Sequence, residues 1–248
     1  MNGRLEKKRA LVTGGSRGIG AAIVRRLASE GADVAFTYIS RGDQAKEVTQ
    51  AARAFGVNSF ALRADSADAE AVIAAVERTV REFGGMDILV NNAGIAVIAP
   101  VEELRLEDFD RSFAVNVRAT FVAIQAAVKH MQSGGRIINI ASCNAERVPF
   151  TGGAAYAMSK SALVGLVKGL ARDLALRGIT VNNVHPGPIE TEMNSAGTEF
   201  GKMLLEHVLA LPRYGTAEEV AGVVAFLASP EAAYITGAGI SIDGGFTA

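Results

Sequence analysis

Short apolar runs alternate with amphipathic stretches along the whole chain. The runs at 9–13, 33–38, 57–62, 87–91, 136–140, 180–184 and 240–242 carry strand-forming apolar residues and sit between Gly, Asp, Asn or Ser. That pattern predicts strands. Between them the apolar positions recur at helical spacing. This predicts helices over 18–30, 44–55, 69–83, 106–131, 153–176 and 216–228, with a small helix over 204–209. Thr216 and Glu219 have the spacing of a capping box. Strand–helix alternation without repeat or linker predicts an α/β protein. The expected architecture is a single-domain doubly wound Rossmann fold over residues 1–248, with a central parallel sheet of about seven strands flanked by helices. Strands buried on both faces lose polar alternation, in keeping with an apolar content of 49%.

Such sheets bind ligands beyond the carboxyl ends of their strands, where strand order reverses. Gly14, Asp65, Asn91, Ser142 and Pro186 all lie at or just past a predicted strand end. Strand one runs into Gly14-Gly15-Ser16-Arg17-Gly18-Ile19-Gly20 and then a helix. Glycines there let the backbone approach a pyrophosphate, and the helix start offers N–H groups and partial positive charge. The spacing departs from the G-x-G-x-x-G pattern, and an ordinary glycine-rich turn is the alternative. After strand two, where an NAD site usually has a carboxylate for the ribose 2′-hydroxyl, the chain reads Tyr38-Ile39-Ser40-Arg41. An acid would repel a 2′-phosphate, whereas Arg17, Ser40 and Arg41 can bind one. The cofactor expected is therefore NADP(H); for Arg41 a solvated surface charge is the competing reading.

Tyr156 and Lys160 are four residues apart, on one face of a predicted helix. A tyrosine near pKa 10 is a poor base at neutral pH, and bringing it near neutrality takes about 4 kcal/mol. A lysine ammonium beside it, with an oxidised nicotinamide cation in a water-shielded site, can supply that stabilisation. Tyr156 then exchanges a proton with a carbonyl or alcohol oxygen. Tyr-x-x-x-Lys is common by chance, but Ser142 follows the apolar strand at 136–140. Its hydroxyl can hold a substrate oxygen as charge develops. Cys143 next to it reads as a small packed side chain, not a nucleophile.

Together these residues resemble the short-chain dehydrogenase/reductase family, over nearly the whole chain from Arg9 to Gly245. Thr13-Gly14-x-x-x-Gly18-x-Gly20 resembles its cofactor loop, and Asn91-Asn92-Ala93-Gly94 its strand-four motif on the adenine side. The resemblance implies Asp65 and Ser66 as adenine contacts. It implies that Asn116 bends a helix and holds a water in a proton relay, and that Ser142, Tyr156 and Lys160 are catalytic. It further implies that Lys160 binds the nicotinamide ribose, and that Pro186, Gly187, Ile189 and Thr191 hold the carboxamide. Within the family the chain is most similar to bacterial 3-oxoacyl-acyl-carrier-protein reductases. The stretches at 65–68, 154–156 and 177–180 resemble a cyclic-di-GMP-binding biofilm-dispersal branch. The Ser142 to Tyr156 segment is a residue longer than in the commonest reductases of the family, and Ala217 stands where a proline often starts the helix.

An enzyme is thus expected: hydride transfer between NADP(H) and a ketone or secondary alcohol, with a 3-oxoacyl compound or small ketone as substrate. The alternative is a cyclic-di-GMP-binding regulator on a reductase scaffold. A pure binder has no chemical need for Asn116, Ser142, Tyr156 and Lys160 together. Candidate pocket walls are Ile98, Asn144, Val148, Phe150, Met193, Phe200 and Met203, mostly apolar. Ile98 and Val148 read equally well as core. Residues 190–212 mix small and apolar side chains as a substrate lid would.

Charge narrows the partners. There are 25 Lys and Arg against 26 Asp and Glu, a net charge of −1. No field draws this chain to nucleic acid or anionic membrane, and neither is an expected partner. No apolar run approaches the roughly 20 residues of a membrane span. Glycines break the apolar stretch behind the basic N-terminus, which reads as a strand and not a leader. One cysteine excludes an intrachain disulfide, and a reducing cytoplasm is the expected location. His130, His185 and His207 lack ligand spacing, so no metal site is expected. The apolar last strand and the family likeness imply a homotetramer.

Overall fold

A computed structural model describes residues 3–192 and 194–248. Seven strands form one parallel sheet: β1 Arg9–Val12, β2 Asp33–Tyr38, β3 Ser59–Arg63, β4 Ile88–Asn91, β5 Arg136–Ile140, β6 Thr180–Pro186 and β7 Gly239–Ile242. Their order is β3-β2-β1-β4-β5-β6-β7. The chain runs outward from β1 one way, then returns to β4 and runs out the other way. The crevice therefore opens between the carboxyl ends of β1 and β4.

The period of two along each strand divides the core into two layers. On one face Ala10, Val12, Val34, Phe36, Ile88, Val90, Ile138 and Val184 pack on α1 Gly18–Ser29, α2 Gly42–Arg53 and α8 Ala217–Ala228. On the other, Leu11, Ala35, Leu89, Ile137 and Val181 pack on α3 Ala69–Phe83, α5 Ala119–Ala127 and α6 Ala154–Asp173. A third small cluster joins Cys143, Tyr214 and Phe246 to Leu204 of α7 Glu199–His207.

The long helix expected over 106–131 is divided. It comprises α4 Leu106–Phe113, a π-helical segment Ala114–Arg118, and α5. The reason is side-chain bonding by Asn116, which apolar periodicity does not register. The helix expected over 204–209 begins earlier, at Glu199, because the Thr198 hydroxyl caps it by accepting from the Gly201 N–H at 3.0 Å. The capping box on α8 forms as expected. β6 runs two residues further than its expected end at 184, so Pro186 lies within it.

Candidate active site

The turn after β1 is sewn to the end of β4. The Thr13 hydroxyl accepts from the backbone N–H groups of Asn92 and Ala93, both at 3.0 Å. The Asn92 amide donates to the carbonyls of Thr13 at 2.9 Å and Gly14 at 3.0 Å. The Thr37 hydroxyl of β2 accepts from the Gly14 N–H at 3.0 Å. Close approach makes glycine necessary at position 20, where a Cβ would lie 2.1 Å from the Gly14 carbonyl oxygen. Gly14 and Gly18 have positive φ, +68° and +51°.

Among the described residues, no side chain caps α1, and its first turn carries no acid. Asp68, Thr198 and Thr216 cap α3, α7 and α8. α2, α4 and α6 lack a side-chain cap too, so what sets α1 apart is that its open N–H groups start at the glycine loop, at the carboxyl end of β1, where a pyrophosphate can accept from them. A dinucleotide fits this cradle. Ser16 and Ile19 are half-buried in the loop, and Thr191 crosses it with a methyl 3.6 Å from where a Gly18 Cβ would sit. Thr191 and Asn194 exchange backbone hydrogen bonds of 3.0 and 3.1 Å. Ile189 is buried, while Gly187 lies against Asp243 so closely that a Cβ would be 2.6 Å from its Cα.

Tyr38 ends β2, and Ser40 and Arg41 are exposed beyond it. Arg41 has φ +63° at the start of α2. Arg17 lies 3.8 Å from Glu192, whose carboxylate also accepts from the Gln44 amide at 3.2 Å. Glu192 therefore ties the segment after β6 to both the glycine loop and α2. Asp65 accepts from the Ala67 N–H at 2.9 Å and stands 3.6 Å from Arg111, and Ser66 is buried. No group of His, Cys, Asp and Glu suited to a metal occurs among the described residues.

At the other side of the crevice four side chains converge. Asn116 is buried at the π-helical segment, and its amide grips the loop after β4 from both sides. Its Nδ2 donates to the Ile95 carbonyl and its Oδ1 accepts from the Ile95 N–H, each at 2.9 Å. The same Nδ2 reaches Ser159 Oγ at 2.9 Å, and Ser159 Oγ donates to the Tyr156 carbonyl at 2.8 Å. These bonds fix α6 relative to Asn116. Lys160 is buried, and its Nζ donates to the Ile140 carbonyl at 2.9 Å. That Nζ lies 5.9 Å from the Tyr156 ring centroid, within cation–π range. A Cβ on Gly94 would meet Lys160 Nζ at 3.2 Å and Asn116 Oδ1 at 3.3 Å. The absence of a side chain at Gly94 is what admits both groups.

The electrostatics follow from burial. Loss of water pushes the Tyr156 phenol above its ordinary value, while a hydrogen bond with Ser142 pulls it back in part. The direction is opposite to the lowering expected from Lys160, whose Nζ is turned to the Ile140 carbonyl. Burial pulls the Lys160 ammonium down to about 8. Burial drives the Cys143 thiol up to about 12, as a packed, unreactive cysteine requires. Ser142 Oγ accepts from the Asn144 N–H at 3.1 Å where β5 gives way to a 3₁₀ turn, Cys143–Ala145.

The mouth of the crevice is apolar but open. Ile98 is 51% and Val148 38% exposed, so neither is core. Phe150 and Phe200 meet edge to face with centroids 5.1 Å apart, joining the segment before α6 to α7. Asn144 Nδ2 donates to the Arg147 carbonyl at 3.0 Å. Met203 packs against the small third cluster. Met193 lies outside the described residues. Thr37, Ser159 and Glu192 escape a sequence reading because the partners that matter, Gly14, Asn116 and Arg17, are remote in the chain. Thr13 stands in the cofactor-loop motif, but the remote partners of its hydroxyl do not show there.

The family model described as enoyl-(acyl carrier protein) reductase matches residues 14–247. A short-chain dehydrogenase/reductase from Serratia marcescens has a similar structure, with TM-score 0.97, 60% identity, and coverage of 99% of this chain and 100% of that one. A Burkholderia cenocepacia short-chain dehydrogenase in complex with NADP gives TM-score 0.97 and 52% identity over the same shares. The cyclic-di-GMP-binding biofilm dispersal mediator protein of Escherichia coli K12 is 49% identical over 246 residues, 99% of this chain and 100% of that one. The chain belongs to the short-chain dehydrogenase/reductase family and is an oxidoreductase on its Rossmann fold. The expected likeness to the dispersal branch is borne out as well.

Proposed function

We propose that the chain is an NADP(H)-dependent carbonyl reductase in which Tyr156 is the proton donor. The observation that carries this reading is the convergence of Tyr156, Ser142, Lys160 and Asn116 on one crevice. The phenol there is protonated at neutral pH, and burial pushes its pKa further up. A protonated phenol is the form that carbonyl reduction consumes. The cofactor is NADP(H), which the Burkholderia relative carries in its complex.

Gly14, Ser16, Arg17, Gly18, Ile19 and Gly20 hold the pyrophosphate and, through Arg17 with Ser40 and Arg41, the 2′-phosphate. Tyr38, Asp65, Ser66, Asn92, Ala93 and Gly94 line the adenosine side. Pro186, Gly187, Ile189 and Thr191 hold the carboxamide, and Lys160 binds the nicotinamide ribose. The bound cofactor supplies hydride to the carbonyl carbon. Ser142 donates a hydrogen bond to the substrate oxygen, and Tyr156 protonates that oxygen as negative charge gathers on it. Lys160 steadies the phenolate that remains, and Asn116 anchors the relay that reprotonates it.

The substrate reading is a 3-oxoacyl compound or a small ketone, resting on the apolar walls Ile98, Val148, Phe150 and Phe200. The protein works as a homotetramer in the cytoplasm. The exposed edge strand β7 and the fully exposed Leu176 and Tyr234 support assembly. No helix among the described residues is long and apolar enough to cross a membrane.

A second reading, a cyclic-di-GMP-binding regulator, is favoured by the dispersal-mediator relative. Two assays separate the readings: NADPH consumption against a panel of ketones and 3-oxo esters, and calorimetric binding of cyclic-di-GMP. Turnover on any panel member supports the enzyme. Dinucleotide binding without turnover supports the regulator.

A further inference from the structure

We infer that His185 is a positioning residue that sets Ser142 by holding its backbone carbonyl. The inference rests on the reading of Ser142 as catalytic. Strands β5 and β6 pair from Arg136↔Thr180 to Ile140↔Val184, and one more rung follows, from the Ala141 N–H to the Val184 carbonyl at 2.8 Å. Beyond that rung the chain leaves the sheet. Ser142 is extended, at φ −170° and ψ 152°, and the 3₁₀ turn Cys143–Ala145 begins. The Ser142 carbonyl accepts from the Ala145 N–H at 3.0 Å, which closes the turn. It also meets Nδ1 of His185 at 2.9 Å.

A carbonyl oxygen only accepts, so Nδ1 must carry the hydrogen. The imidazole thus adds a side-chain rung where the backbone ladder has run out, and it grips the residue whose side chain faces Tyr156. The ring is enclosed. His185 is 1% exposed, and a Cβ on Gly239 of β7 would come within 2.7 Å of Nε2. Glycine at that position is what leaves room for the ring beneath the active-site turn. The bond constrains the point where Ser142 departs from the sheet, and so the direction of its Cα–Cβ vector. Misplacing a catalytic hydroxyl by a fraction of an ångström lowers turnover without removing any group that touches substrate.

The test compares His185→Leu, which keeps bulk but has no donor, with His185→Asn, whose amide places an N–H near the Nδ1 position. Both are made in the intact chain and in a Ser142→Ala background. The Leu variant is expected to lose about tenfold to hundredfold in kcat. Its KM and NADPH dissociation constant should stay within about twofold, and the Asn variant should recover most of the loss. In the Ser142→Ala background the same Leu substitution should cost little more, because the two residues act as one unit. An equal fold-loss with and without Ser142, or an Asn variant no better than Leu, overturns the inference. Should Leu fail to fold, His185→Gln and His185→Asn in the two backgrounds give the same comparison. If Ser142→Ala itself leaves kcat intact, it is the catalytic reading of Ser142 that fails. If Ser142→Ala lowers kcat and neither His185 variant does, it is the positioning claim.

Discussion

At the residue scale the site is governed by burial. Lys160 is held near 8 against an ordinary value of 10.5 because its ammonium lies out of water with one carbonyl for a partner. The folded chain therefore releases this proton more readily than the unfolded chain. Between pH 8 and 10.5 the unfolded state binds more protons, so stability rises with pH there and the burial cost is largest below pH 8. The gap corresponds to about 3 kcal/mol. Denaturant titration of the cofactor-free protein should show the wild type gaining up to that amount relative to Lys160→Met from pH 7.5 to 10.5. A difference that does not change with pH would mean the lysine is solvated. In the proposed site Arg17 and Arg41 are the residues expected to favour NADPH. With no acid after Tyr38, catalytic efficiency with NADPH should exceed that with NADH by over tenfold, from charge-assisted contacts worth about 1.5–3 kcal/mol each. Steady-state kinetics with both cofactors check it, and parity would refute the 2′-phosphate assignment.

At the element scale we propose that the segment over residues 190–212 acts as a substrate lid. Glu192 tethers it to Arg17 and Gln44 through half-exposed groups, contacts that solvent screens and that are individually weak. Its α7 rests on the residue after Ser142 through the small cluster of Cys143, Leu204, Tyr214 and Phe246. Binding of NADPH with a substrate analogue should slow amide hydrogen exchange across residues 191–211. Exchange unchanged by ligand would make it a fixed surface element. The elements themselves were mostly legible in the sequence. Periodicity located every strand and the capping box of α8, since both follow from spacing alone. It did not register the π-helical break at Asn116. That break comes from an amide bonded to Ile95, twenty-one residues back, which leaves no trace in apolar spacing. The start of α7 was missed because it depends on the Thr198 cap, not on apolar residues. The candidate residues Ser142, Tyr156 and Lys160 and the glycine loop stood out in the sequence because the chemistry proposed for them needs their types at short spacing. Thr37, His185 and the role of the Thr13 hydroxyl did not, since each acts on a backbone group reached only through the fold.

At the scale of the whole molecule, strand order decides where chemistry happens. The reversal between β1 and β4 brings the uncapped start of α1 to the side of the sheet that β5 and α6 supply with Ser142, Tyr156 and Lys160. The last strand in that order, β7, is an exposed edge on which a second copy can pack. Sedimentation at assay concentrations should find a tetramer, and a fully active monomer would contradict the proposed assembly. The central claim is that Tyr156 gives the proton to the substrate oxygen. It is tested most directly by single-turnover NADPH oxidation in the Tyr156→Phe variant, with a ketone the wild type reduces. The ring keeps its packing, so NADPH affinity should stay within about twofold while the rate falls at least about 10²–10⁴-fold, the span of general acid catalysis. A variant that retains most of the wild-type rate would place the proton donor elsewhere and contradict the account.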